Sequence, residues 1–215
     1  FAGYGGMDAG ELNVFLQEIG VTTCGSHEGY EKFLNDAETI IEFNAAIDNP
    51  YITIPSMPGH VRNNAEAVKR FADNLNLFGY KVKQAGMQLC YHNHSFEFDK
   101  VEGDQTVWDL LFSETDAEMV KAEMDVAWVF NADVDPVALM DKWANRVKLL
   151  HMKDLDKDRK LCPVGEGIID MQAVVAKARE IGVEWYIVEQ DRTRSGKDIM
   201  DEIAISHKNM VALLS

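Results

Sequence analysis

Residues 147–154, with the sequence VKLLHMKD, contain a short apolar run that ends in the ionisable residues His151, Lys153 and Asp154. A short and nearly continuous apolar run is typical of a strand that is buried on both faces, as in a parallel sheet covered by helices. The stretch therefore predicts a buried parallel strand whose carboxyl end carries ionisable side chains.

Short apolar runs occur in five further segments, and almost all of them end in polar residues. These are 21–27 (VTTCGSH), 51–57 (YITIPSM), 87–94 (MQLCYHNH), 120–128 (VKAEMDVAW) and 185–191 (WYIVEQD). Helical patterns lie between them, and they begin with capping signals such as Asp8 with Glu11, or Asp135 before Pro136. Alternating strands and helices predict an α/β protein with a parallel sheet.

The number of strand–helix units indicates a (β/α)₈ TIM barrel. Such barrels average about 250 residues, or roughly 30 residues per unit, whereas this chain has 215. With one more strand ending at Phe1, the sequence accounts for seven units. We therefore predict a TIM barrel that lacks its first βα unit in this chain, with residues 1–215 forming a single domain.

Composition excludes several classes of protein. The net charge of -15 disfavours binding to a polyanion such as DNA, and the Lys and Arg residues form no dense cluster. No apolar run approaches the roughly 20 residues of a membrane-spanning helix. The three cysteines are far apart and odd in number, which argues against a disulfide framework. We expect a cytoplasmic protein, compatible with a homo-oligomer, that acts on small molecules without nucleic-acid or membrane partners.

Ionisable residues at the strand ends are the candidate functional residues. In a parallel barrel the carboxyl ends of all strands meet on one face, where enzymes with this fold have their active sites. The best candidates for metal ligands are Glu97, Asp125, His151 and Glu189. Three carboxylates and one imidazole suit one divalent ion, which could be Mn²⁺, Mg²⁺, Co²⁺ or Zn²⁺.

Further polar and aromatic residues near the strand ends are candidates for substrate binding. His27, His92, His94 and Lys153 could bind substrate hydroxyl groups, and Trp128 could form an apolar wall behind a sugar ring. The loop 163–167 (PVGEG) contains two glycines that could approach a phosphate closely, but it contains no basic residue. A flexible lid is the favoured interpretation of this loop.

Five motifs resemble the sugar phosphate isomerase/epimerase group of the xylose-isomerase-like TIM barrels. In chain order they are YHNHSFEF (91–98), MDVAW (124–128), HMKD (151–154), PVGEGIID (163–170) and VEQD (188–191). The opening FAGYGG also matches this group, so the resemblance covers essentially the whole chain. It implies one divalent metal held by residues from successive strand ends, which by motif include Asp125, His151 and Glu189.

The resemblance leaves the first metal ligand open. Many relatives have a glutamate where this chain has His92, so either His92 replaces that carboxylate or Glu97 reaches the metal from just beyond the strand. Glu97 is the favoured alternative. In isomerases of this type two metal-bound glutamates flank the substrate as proton-transfer bases, and these would be Glu97 and Glu189.

The sequence therefore predicts a metal-dependent sugar isomerase or epimerase. A divalent metal beside a carbonyl favours loss of a proton from the adjacent carbon, and a carboxylate accepts that proton. One alternative is a dehydratase or lyase that uses the same site on a keto-sugar, an inosose or a keto-glycoside. Less favoured alternatives are a phosphodiesterase similar to the apurinic endonucleases, which would need more histidines and a basic surface, and a non-catalytic sugar-binding barrel.

Overall fold

The computed structural model describes residues 1–194 and 196–215. The contacts between residues divide the chain into two compact units. Unit 1 comprises Phe1–His92 and Asp99–Lys121, and unit 2 comprises Asn93–Phe98 and Ala122–Ser215. This division does not test whether residues 1–215 form a single domain, so the single domain stays a prediction.

Unit 1 contains three parallel strands and the helices that cover them. The strands, paired in the order β1–β2–β3, are β1 Ser26–His27, β2 Tyr51–Ile54 and β3 Gln88–His92. The helices are α1 Ala9–Ile19, α2 Tyr30–Ala46, α3 Ala65–Gln84 and α4 Val107–Glu114. A small antiparallel hairpin joins Lys100–Glu102 to Gln105–Thr106.

Local signals in the sequence explain where the helices of unit 1 begin and how closely they pack. The side chain of Asp8 accepts the Glu11 backbone N–H at 2.9 Å, and the Glu11 carboxylate accepts the Asp8 backbone N–H at 3.1 Å, which together form the predicted capping box. In α3, a Cβ atom on Gly79 would lie 2.4 Å from the carbonyl oxygen of Met119. Only glycine permits this close approach of the helix to the neighbouring backbone.

Unit 2 repeats the same architecture. Its parallel strands are paired in the order β4–β5–β6. They are β4 Val120–Asp125, of which residues 122–125 belong to this unit, β5 Val147–Met152 and β6 Trp185–Val188. Its helices are α5 Val126–Asn131, α6 Pro136–Lys142, α7 Met171–Ile181 and α8 Ile199–Leu214. A short 3₁₀ turn covers Phe96–Phe98, and Asp154–Leu155 pairs with Leu161–Cys162.

The register of unit 2 brings the carboxyl ends of its strands level with one another. Asp125 at the end of β4 lies opposite His151 in β5, and His151 lies opposite Ile187 in β6. Glu189 therefore follows β6 one residue after its last paired position. The polar strand ends of unit 2 thus lie at the same edge of its sheet, as the sequence predicts.

The parallel pairing and the alternation of strands and helices confirm the predicted α/β class. The strand boundaries are less well predicted. The strand expected over 120–128 ends at Asp125, and the strand expected over 21–27 is reduced to Ser26–His27. Phe1 is not assigned to a strand, but its carbonyl oxygen accepts the backbone N–H of His27 at 2.7 Å. Among the described residues, no helix is both long enough and apolar enough to cross a membrane.

Candidate metal and substrate site

Three of the predicted metal ligands lie together at the strand ends of unit 2. A carboxylate oxygen of Asp125, a ring nitrogen of His151 and a carboxylate oxygen of Glu189 lie within 4.8 Å of one another. The Nδ1 atom of His151 is 2.7 Å from Oε2 of Glu189. Asp125 is fully buried, His151 is 4% exposed, and Glu189 is only partly buried. The side chains that the sequence assigns to separate strand ends therefore form one cluster.

Lys153 places an ammonium group among these carboxylates. Its Nζ atom lies 2.6 Å from Oε2 of Glu189, 2.8 Å from Oδ2 of Asp191 and 3.2 Å from Oδ2 of Asp125. The Lys153 side chain is only 3% exposed, so these ion pairs are poorly screened by water. Asp191 was not among the predicted site residues, although it lies two positions after Glu189 and so on the same side of an extended chain.

The mixture of charges shifts the pKa values of the cluster strongly. Burial by itself lowers the pKa of His151, but the charge and hydrogen bond of Glu123, together with those of Glu189, raise it to about 10. Burial by itself raises the pKa of Glu189, but contacts with His151 and Lys153 bring it well below its usual range. At neutral pH the cluster therefore contains the ionised carboxylate of Glu189, the imidazolium of His151 and the ammonium group of Lys153.

Glu123 is a buried site residue that the sequence analysis missed. Its Oε1 atom lies 2.9 Å from Nε2 of His151, and the exposed fractions of the two side chains are 2% and 5%. The available signal was the spacing of Glu123 and Asp125, because residues two apart in a strand point to the same face. The imidazole ring of His151 thus contacts a carboxylate through each of its nitrogens.

The segment Asn93–Phe98 packs against the end of β4. The backbone N–H of Asp125 donates to Oδ1 of Asn93 at 2.9 Å, and the backbone N–H of His94 donates to Oε2 of Glu97 at 2.8 Å. Both Asn93 and Glu97 are fully buried. Among the described residues, the cluster of potential ligand atoms around His151 does not include Glu97. The role of Glu97 as first ligand and base therefore stays a prediction.

Trp128 lies near the cluster, in a position that differs from the predicted one. It belongs to α5 rather than to a strand, and its backbone N–H donates to Oδ1 of Asp125 at 2.9 Å. Its ring lies 5.9 Å from that of His94 and 5.8 Å from Nζ of Lys153, as measured to the ring centroids. Trp128 and Asp191 also line a cavity of about 860 Å³ in unit 2, which is large enough for a sugar-sized ligand.

The two remaining predicted substrate-binding residues, His27 and His92, belong to unit 1. They are the last residues of β1 and β3, and their ring centroids are 5.3 Å apart. The Nδ1 atom of His92 lies 3.2 Å from the carbonyl oxygen of Pro55. The structure thus brings these two histidines together, and their roles in substrate or metal binding stay predictions.

The loop 163–167 is organised around an internal carboxylate. The backbone N–H groups of Gly165 and Gly167 donate to Oδ2 of Asp154 at 2.9 and 3.0 Å, and that of Leu155 donates to Oδ1 at 2.8 Å. Asp154 is fully buried, and its burial raises the pKa of its carboxyl group. The glycine amides that could have bound a phosphate are thus occupied, and the role of the loop as a flexible lid stays a prediction.

The chemistry of the cluster fits a divalent metal ion. Two carboxylates and an imidazole are typical ligands for such ions, and bond lengths of about 2.0–2.2 Å place ligand atoms roughly 3–4 Å apart. The potential ligand atoms of Asp125, His151 and Glu189 all lie within 4.8 Å of one another, which is close to this range. Asp125, His151 and Glu189 would hold the ion once His151 has lost a proton. Without an ion, the positive charges of Lys153 and of the His151 imidazolium balance these carboxylates.

Comparisons with known proteins identify relatives of the chain. The chain is 30% identical over 159 residues to the inosose dehydratase of Clostridium beijerinckii, a match that covers 64% of this chain and 52% of that protein. The chain thus spans about half the length of the curated relatives it matches.

Solved structures share the fold over nearly the whole chain. A sugar phosphate isomerase/epimerase from Parabacteroides distasonis is 25% identical with a TM-score of 0.85, and the match covers 96% of this chain and 76% of that one. The 3-keto-D-glucoside 4-epimerase of E. coli, 15% identical with a TM-score of 0.69 over 95% of this chain and 83% of that one, shares the fold alone. Residues 11–208 match the family described as xylose isomerase-like TIM barrel, so the chain belongs to that family and has its fold.

Proposed function

We propose that this protein is a divalent-metal-dependent enzyme that moves protons at a carbon next to the carbonyl group of a sugar or polyol derivative. The observation that carries this proposal is the cluster of Asp125, His151 and Glu189, with Lys153 paired to both carboxylates. Isomerisation or epimerisation is the proposed reaction. Elimination of water is a second candidate, because the chain is 30% identical to an inosose dehydratase.

The residues of the cluster have distinct proposed roles. Asp125, His151 and Glu189 would hold the ion, which would polarise the substrate carbonyl. Glu189, whose low pKa keeps it ionised, would accept the proton from the adjacent carbon. Glu97 stays the proposed second base. Trp128 would exclude water from one side of the substrate in the adjoining cavity.

Lys153 would have a related role in the two candidate reactions. Its buried ammonium group lies 2.6 Å from Glu189 and would donate a hydrogen bond to an oxygen near the reacting carbon. In an isomerase or epimerase that oxygen is retained in the product. In a dehydratase the same donor would assist the departure of a hydroxyl group.

The experiment is an exchange assay in D₂O with Mn²⁺-loaded protein and a panel of ketohexoses, keto-glycosides and inososes. An isomerase or epimerase incorporates deuterium into a product that has lost no water. A dehydratase releases water and forms an unsaturated ketone. Glu189→Gln should lower the rate by a factor of about 10²–10⁴. Glu180→Gln, a change at an exposed glutamate that pairs with Lys177, is the matched control.

The assay also addresses the remaining alternatives. Wild-type protein that binds a sugar but exchanges no proton with any of the panel would support a non-catalytic sugar-binding barrel. Rates that depend equally on Glu189 and on Glu180 would contradict the proposed site. Mn²⁺ affinities of Glu97→Gln and His92→Gln would decide which of these two side chains contributes the first ligand.

A further inference from the structure

Glu123 has no role in the function proposed so far, although its carboxylate is buried beside the site. The side chain is 2% exposed, and its Oε1 atom lies 2.9 Å from Nε2 of His151. A carboxylate in such a place costs free energy unless it is paired and hydrogen-bonded, because burial removes it from water. The pairing with His151 explains why a carboxylate is tolerated at position 123. It does not explain why position 123 holds a carboxylate instead of an apolar side chain.

The position of Glu123 in the sheet indicates what it does to His151. Glu123 and Asp125 point to the same face of β4, and Asp125 lies directly opposite His151 in β5. Glu123 is thus further from the strand end than Asp125, behind the imidazole ring. The other ring nitrogen, Nδ1, is directed towards Glu189, which follows β6. The two contacts together define which nitrogen of His151 faces the candidate ligands.

We propose that Glu123 is a positioning residue that accepts the Nε2–H of His151 and thereby presents Nδ1 to the metal ion. A carboxylate on the distal nitrogen of a histidine ligand fixes its tautomer and orientation and makes the coordinating nitrogen more basic. This inference rests on the proposed metal site and adds a residue to it. It makes Glu123 a determinant of metal affinity that contacts neither the metal nor the substrate.

The first test measures Mn²⁺ affinity from the electron paramagnetic resonance signal of the free ion. Glu123→Leu should weaken binding by a factor of about 10–100. Glu123→Gln keeps an acceptor oxygen and should restore part of that loss. The matched control is Glu202→Gln, which changes another fully buried carboxylate of unit 2 that pairs with Arg194 instead. Unchanged affinity in a folded Glu123→Leu protein would overturn the inference.

The second test needs no substitution at Glu123 and so does not depend on whether its variants fold. Nitrogen-15 spectra of Zn²⁺-loaded wild-type protein, with His151 assigned by its loss in His151→Asn, should show the proton on Nε2 and coordination at Nδ1. The opposite tautomer would overturn the inference.

Failure of the metal site itself can be distinguished from failure of this inference. If wild-type protein binds neither Mn²⁺ nor Zn²⁺, the proposed function fails on that ground alone. The nitrogen-15 spectrum of the metal-free protein then shows whether the Nε2–H of His151 donates a hydrogen bond to Glu123. An Nε2–H resonance protected from solvent exchange supports the contact with Glu123, and rapid exchange at that nitrogen contradicts it.

Discussion

At His151, the two carboxylate contacts couple metal binding to proton release. Burial lowers the pKa of the ring, but Glu123 and Glu189 outweigh this effect and raise it to about 10, so the metal-free ring is protonated at neutral pH. A metal ion can bind Nδ1 only after a proton has left. Mn²⁺ affinity should therefore increase as the pH rises towards about 10. Calorimetry in buffers of different ionisation enthalpy should detect about one proton released per ion.

A substitution at another histidine tests whether the proton released on Mn²⁺ binding comes from His151. His207 is an exposed histidine in α8, and His207→Asn should leave the number of released protons unchanged. Binding of Mn²⁺ to wild-type protein without release of a proton at neutral pH would show that His151 is not a ligand.

Lys153 should stabilise the protein most when no metal is bound. Removal of one partner from a buried ion pair costs about 3–5 kcal/mol. Because Glu189 and Asp191 are 33% and 44% exposed, we expect the low end of that range for Lys153→Met in EDTA. A divalent ion would replace the lost positive charge, so Mn²⁺ should raise the free energy of unfolding more in Lys153→Met than in wild type. Urea denaturation with and without Mn²⁺ measures both quantities, and an equal metal effect in the two proteins would contradict the argument.

Residues at the strand ends were predictable to different degrees. Asp125, His151 and Glu189 could be identified because each ends or follows an apolar run and carries a ligand-type side chain. Glu123 and Asn93 could not be identified in the same way. Their importance comes from hydrogen bonds to His151 and to the Asp125 backbone, and these bonds depend on the sheet register rather than on local pattern.

At the element scale, the loop around Asp154 explains why glycine occupies position 167. A Cβ atom there would lie 2.1 Å from Oδ1 of Asp154 and 2.4 Å from the carbonyl oxygen of Leu155. Gly167→Ala should therefore cost roughly 1–3 kcal/mol, as expected when atoms are forced into a well-packed site. Gly59→Ala is the control, because a Cβ atom at Gly59 would meet nothing within 4 Å. Equal stability of both variants in urea denaturation would show that the loop is not packed as described.

Except at β1, strand starts were easier to predict than strand ends. The apolar run from 120 onwards predicts the beginning of β4, but the run continues into Val126, Ala127 and Trp128 and so conceals its end. The strand ends at Asp125 because the Asp125 side chain caps the next helix by accepting the Trp128 backbone N–H. The sequence DVAW therefore contains a helix-start signal that the apolar pattern masks.

At the scale of the whole molecule, the repeated strand–helix pattern carries more information than any single motif. Each unit contains three parallel strands, and the polar ends of β4, β5 and β6 lie level with one another because of their register. This is why the class of fold, and the clustering of residues in the candidate site, could be predicted from spacing. The choice between isomerisation and elimination could not, because both reactions begin with the same proton transfer.

The charge distribution argues against a nucleic-acid substrate, and this can be tested directly. The net charge is -15, although four basic residues line the cavity beside Trp128. Two of the four are already neutralised, since Arg159 pairs with Asp133, and Arg194 pairs with Glu166 and a second glutamate. We expect a dissociation constant above about 10⁻⁴ M for duplex DNA containing an abasic site at physiological salt. Fluorescence anisotropy measures this value, and tighter binding that weakens steeply with salt, accompanied by strand cleavage, would favour the phosphodiesterase hypothesis over sugar chemistry.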